Sequence, residues 1–137
     1  MSWVDHVIWW QVYPLGFLGA EKELGQFSER GEPATEAAGV ARSFDLLGGN
    51  GLLLGPIFTS SSHGYDTIDY VQIDPRLGDD ADFDALVAAC TDRGVRLLID
   101  GVFSHAGRGF PPVAQALTEG PGSGAEDWVS LSSKPLS

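Results

Sequence analysis

Basic residues are scarce in this chain: eight Lys and Arg stand against nineteen Asp and Glu, a formal net charge of -11. Such a surface repels nucleic-acid phosphates and anionic lipid headgroups, so neither nucleic acid nor a membrane surface is expected as a partner. Long apolar runs are missing too. The start, Met1-Ser2-Trp3-Val4-Asp5-His6, has no basic segment and no continuous apolar one, and no later stretch approaches the roughly 18 apolar residues of a spanning helix. A single cysteine, Cys90, leaves no internal disulfide to form, which fits a reducing compartment; the expected location is the cytoplasm. Metal-ligand spacing is absent as well: His6, His63 and His105 lie far apart, and no Asp-x-Asp-x-Asp loop occurs. Gly107-Arg108-Gly109 lacks the glycine and lysine spacing of a phosphate loop.

What is present reads as one globular domain. The 137 residues are 43% hydrophobic and 20% charged. The acids are spread between an early loop (Glu21, Glu23, Glu29, Glu32) and the stretch from Asp74 to Asp84, so a solvated surface accounts for most of them.

Along the chain, residues 7–13 are bulky on both parities, as in a strand covered on both faces, and Pro14 stops them. Residues 16–34 hold glycines, acids and Pro33 without a sustained period, a long loop. Thr35 and Glu36 then open a helical pattern through Ala37, Val40, Ala41, Phe44 and Leu47, ended by Gly48. Leu52-Leu53-Leu54, bounded by Gly51 and Gly55-Pro56, is a second strand. Asp79, Asp80 or Asp82 can cap a second helix with Phe83, Leu86, Val87 and Cys90 on one face and Gly94 at its end. Residues 95–99 are a third strand. Pro111-Pro112 start another helix whose apolar face is Val113, Ala116 and Leu117. From Gly120 the pattern decays, and residues 120–137 read as a weakly structured tail. Strands alternating with helices mean parallel strands and right-handed crossovers, so the class is α/β. A closed eight-unit barrel takes about 250 residues. This chain holds three βα units, an incomplete parallel sheet.

In such folds functional groups gather beyond the C-terminal ends of the strands. Tyr13 follows the first; His63, Tyr65, Asp66, Asp69 and Tyr70 follow the second; Asp100, Ser104 and His105 follow the third. An aromatic face packs on the C–H surface of a pyranose, while carboxylate and imidazole satisfy hydroxyls that would cost about 1–3 kcal/mol each if buried unpaired. The set suits a sugar. Each member also has a plainer reading: Tyr65 as a half-buried loop anchor, Asp66 as a turn carboxylate, Asp100 as an acceptor for the amides of residues 101–105, and His105 as a hydrogen-bonded loop histidine. Trp9 and Trp10 read as packing residues and Cys90 as helix core.

These segments are similar, in order and spacing, to the α-amylase family (glycoside hydrolase family 13). The resemblance runs through Gln11-Val12-Tyr13-Pro14, Gly55-Pro56-Ile57-Phe58, Gly64-Tyr65-Asp66-Thr67, Asp74-Pro75 followed by Leu77-Gly78, and Asp100-Gly101-Val102-Phe103-Ser104-His105, covering about residues 7 to 110. It implies the first three units of a TIM (β/α)8 barrel from a retaining glycosidase or transglycosylase acting on α-linked oligo- or polysaccharide. It further implies that Tyr65 stacks on the sugar where cleavage occurs and that Asp100 and His105 hydrogen-bond the same ring; His63 and Asp66, from the residue set after the second strand, are expected to bind the sugar as well. The family draws its nucleophile, its acid/base and a further Asp from strands four, five and seven, which are not in these residues; no catalytic residue is expected here and the chain alone is expected to be inactive. Where family members carry Asn before the histidine, often serving a structural calcium, this chain has Ser104, which argues against calcium; no other cofactor or metal is expected. The residues after 130 do not resemble a fourth strand, so the chain reads as cut short. A non-catalytic carbohydrate-binding or assembly module is the alternative.

Overall fold

The structure, a computed structural model, describes residues 2–20, 48–120 and 122–129. The helix expected over 35–47 and most of the loop expected over 16–34 lie outside the described residues.

Three strands, β1 (Trp9–Val12), β2 (Gly51–Leu54) and β3 (Arg96–Ile99), form a parallel sheet in the order β1-β2-β3. The register aligns Val12 with Leu54 and Leu54 with Ile99, so all three strands end at one level. That level carries the loops of interest. The α/β expectation and all three strands are therefore found where the sequence places them, each within a few residues of its expected bounds.

Alternate side chains of a strand point to opposite sides, and here one side carries the core: Val12, Leu52, Leu54, Ile57, Leu86, Cys90 and Val95. Trp9 and Leu98, on the other parity, are 38% and 50% exposed.

Helix α1 (Pro14–Phe17) is a single turn directly after β1, and its last two residues fall within the stretch from residue 16 expected as loop. Pro14 stops the strand because it has no N–H to donate, and the same property suits the first position of a helix. Helix α2 (Asp80–Asp92) begins as expected: the Asp79 carboxylate accepts from the amides of Ala81 and Asp82, and the Asp82 carboxylate accepts from the amide of Asp79. Leu86 and Cys90 are buried and Phe83 packs on the core, whereas Val87, expected on that face, is exposed. Gly94 follows at φ +65, a conformation that favours glycine. Helix α3 (Pro111–Glu119) buries Ala116 but leaves Leu117 exposed, against its expected place on the apolar face. A 3-10 turn, Ala125–Asp127, lies within the tail and buries Ala125.

Candidate active-site rim

The β2–α2 loop is the longest described connection and it braces itself. Antiparallel bridges join Phe58 to Ile73 and Ser60 to Thr67. Beneath them, Asp74 is 1% exposed, in an acidic stretch expected to be solvated. Its position follows from Arg76, whose Nε donates to Asp74 Oδ1 at 2.8 Å and whose Nη2 donates to Asp74 Oδ2 at 2.6 Å. The same guanidinium donates to the carbonyl of Ser62 and the hydroxyl of Ser60, and the Ser60 hydroxyl in turn accepts from the Gly64 amide at 2.9 Å. Only a planar five-donor group can serve so many acceptors at once. The hydrogen bond to Asp74 and its charge hold the Arg76 pKa above the ordinary value despite burial. Sequence reasoning missed this pair; its one signal was a lone basic residue inside the acidic run 74–84.

On this base stands the cluster expected after β2. Tyr13 and Tyr65 stack with ring centroids 6.4 Å apart and planes inclined 26°, and the His63 ring lies 6.2 Å from that of Tyr65. The Tyr13 hydroxyl donates to the His63 carbonyl at 2.9 Å. Burial raises the pKa of that hydroxyl, Tyr65 and Asp66 add to the effect, and Arg76 opposes it, so Tyr13 remains a proton donor at neutral pH. Asp66 accepts from the Ser62 amide at 3.1 Å and the Ser62 hydroxyl at 2.7 Å, and its Oδ1 lies 3.8 Å from His63 Nδ1. Burial alone would raise the Asp66 pKa, but the Ser62 hydroxyl and amide, its own backbone N–H and the His63 imidazole outweigh it, and the net shift is downward. Asp66 is thus an ionised acceptor at neutral pH. The structure brings His63, Tyr65 and Asp66 together with Tyr13.

Asp100 and His105 stand on the neighbouring loop, with no hydrogen bond to that cluster. Asp100, at the end of β3, accepts from the Val102 amide at 3.1 Å, and the Ser104 hydroxyl is 3.0 Å from His105 Nδ1. Both have the local partners that the plainer readings foresaw. The two loops nevertheless meet: the Gly107 amide donates to the Thr67 carbonyl at 2.7 Å. Ser104 is engaged with His105, and among the described residues no three His, Cys, Asp or Glu side chains converge as a metal site.

The catalytic-domain description of Alpha-amylase matches residues 34–135. The chain belongs to the α-amylase family. Among its relatives, a cyclomaltodextrinase of Bacillus sp is 36% identical across 98% of this chain and 27% of its own length. An intracellular maltogenic amylase of Bacillus subtilis is 32% identical across 98% of this chain and 25% of its own. In three dimensions the chain superposes on the Nostoc punctiforme debranching enzyme with a TM-score of 0.72 at 31% identity, covering 99% of this chain and 32% of that one. It also superposes on the cyclic α-maltosyl-(1→6)-maltose hydrolase of Arthrobacter globiformis with a TM-score of 0.74 at 29% identity, covering 96% and 33%. The chain therefore spans about a quarter of the length of the curated relatives it matches. Within this amylase-type barrel, the described α/β sheet is a contiguous arc of three staves. Among the described residues no helix is long and apolar enough to cross a membrane.

Proposed function

We propose that residues 1–137 carry the sugar-orienting rim of a retaining glycoside hydrolase or transglycosylase acting on α-linked glucose oligomers. The observation that carries the reading is the Tyr65 ring, 37% exposed, stacked on Tyr13 and flanked by the ionised Asp66. A pyranose laid on Tyr65 covers its C–H face with apolar surface, and Asp66 and His63 accept from or donate to its hydroxyls. Asp100 and His105 approach the same sugar from the next loop. Relatives named for cyclomaltodextrin, maltogenic and maltosyl-maltose activities support an α-glucan as the substrate class.

Retaining cleavage needs a nucleophile and an acid/base about 5–5.5 Å apart. Neither role is assigned to a residue of this chain: both oxygens of Asp66 are engaged by Ser62 and one oxygen of Asp100 by Val102, which makes them acceptors that orient substrate. These residues by themselves bind sugar without cleaving it. The lone Cys90 supports a reducing, cytoplasmic setting.

Calorimetric titration of the purified chain with maltotriose tests the reading, alongside incubation with a nitrophenyl α-maltoside. Saturable binding that disappears in Tyr65→Ala, without release of nitrophenol, is the expected result. Absence of binding would remove the sugar-rim reading, and turnover would remove the division of roles.

A further inference from the structure

Val102 is the one non-glycine with positive φ among the described residues, at 47°. It is a β-branched residue, 9% exposed, in the left-handed region that such residues strongly disfavour. A conformation of that kind persists only where its surroundings impose it, and both peptide groups flanking Val102 are held. Its amide donates to Asp100 Oδ1 at 3.1 Å. Its carbonyl, and that of His105, face one hydroxyl from the neighbouring loop: Tyr70 Oη lies 3.1 Å from the Val102 oxygen and 2.8 Å from the His105 oxygen. The Tyr70 ring is fixed in turn, edge-on to Phe110 at 5.3 Å, stacked on Phe103 at 5.9 Å and tilted against Phe58 at 6.5 Å.

We infer that Tyr70 is a positioning residue, whose hydroxyl holds the Val102 turn in its left-handed conformation and thereby sets Asp100 and His105 for the sugar. The inference rests on the functional reading above. Without the hydroxyl, Val102 relaxes toward extended backbone. Its amide then turns away from the Asp100 carboxylate, and the His105 carbonyl loses its tether.

Tyr70→Phe keeps the ring in its aromatic box and deletes only the hydroxyl. Two readouts apply: hydrogen exchange of the Val102 amide relative to those of Leu52 and Leu54 in β2, and maltotriose affinity. The expected result is exchange at Val102 accelerated about tenfold over the β2 amides, and affinity weakened by about the same factor, the scale of a hydrogen bond or two. Glycine adopts φ near 47° freely, so in a Val102→Gly background the same Tyr70→Phe change should weaken binding less than about threefold. Unchanged Val102 protection overturns the inference, as does equal acceleration at Leu52 and Leu54, which would mark a general loss of stability. If the parent chain does not bind maltotriose, the sugar reading falls, while the Val102-to-Leu52 exchange ratio still decides whether the hydroxyl holds the turn.

Discussion

The Tyr13 hydroxyl donates to the His63 carbonyl at 2.9 Å, joining the end of β1 to a loop fifty residues later in the chain. Tyr65 stacks on the same Tyr13 ring. Tyr13 therefore sets both the height of the His63 backbone and the plane of Tyr65.

Tyr13→Phe keeps the stacking and removes the tether. A net cost of about 1 kcal/mol in folding stability is expected, with maltotriose bound about fivefold more weakly. Urea denaturation and calorimetry on the variant check both values. Full retention of affinity would show that the ring contact alone orients Tyr65.

Removing the guanidinium beneath the loop should be far more damaging. Arg76→Met strands a carboxylate that is 1% exposed and deprives the Ser60 hydroxyl and Ser62 carbonyl of a donor. Breaking a buried pair in this way costs about 3–5 kcal/mol. Arg76→Lys should recover little of it, because an ammonium cannot span the fork from Asp74 to both serines. Midpoints of chemical unfolding distinguish the two variants.

Asp66 makes stability depend on pH in one direction. Its carboxyl is held below its ordinary 3.8 in the folded chain, so the unfolded chain binds the proton more readily. The contribution is complete above the unfolded value and is lost as pH falls through the folded one. Between about pH 5 and pH 2, Asp66→Asn should show a shallower loss of thermal stability than the parent. Parallel curves would show that Ser62 and His63 do not discriminate between the two protonation states.

Gly107 is confined by the neighbouring loop. A Cβ there would lie 2.4 Å from the Asp66 carbonyl oxygen, a backbone atom that cannot swing aside. Gly107→Ala should part the two loops, cost about 1–3 kcal/mol, and weaken the Gly107–Thr67 hydrogen bond. Amide exchange at Gly107 and Thr67 reports the separation.

Much of this architecture is legible in the residues themselves. Leu52-Leu53-Leu54 between glycines, Asp79 three residues before Asp82, and Pro111-Pro112 each carry a local rule, and each element begins where its rule puts it. Side-chain facing was harder to read. Leu98 and Leu117 are apolar at periodic positions yet half exposed or more, because what covers a face depends on distant chain. The rim residues could be ranked only by type, and no periodicity reveals that Asp74 turns inward to Arg76 or that Val102 adopts positive φ. Asp74 is also held by the Ser60 amide, fourteen positions earlier, and Val102 by Tyr70, thirty-two positions earlier.

The β2–α2 loop has an implication for biogenesis. Its bridges from Phe58 to Ile73 and Ser60 to Thr67, and the Arg76 bonds to Ser60, Ser62 and Asp74, all fall within some twenty consecutive positions. None awaits a residue beyond Gly78. As the nascent polypeptide leaves the ribosome, the platform under Tyr65 has all its own fasteners before the next strand has been translated.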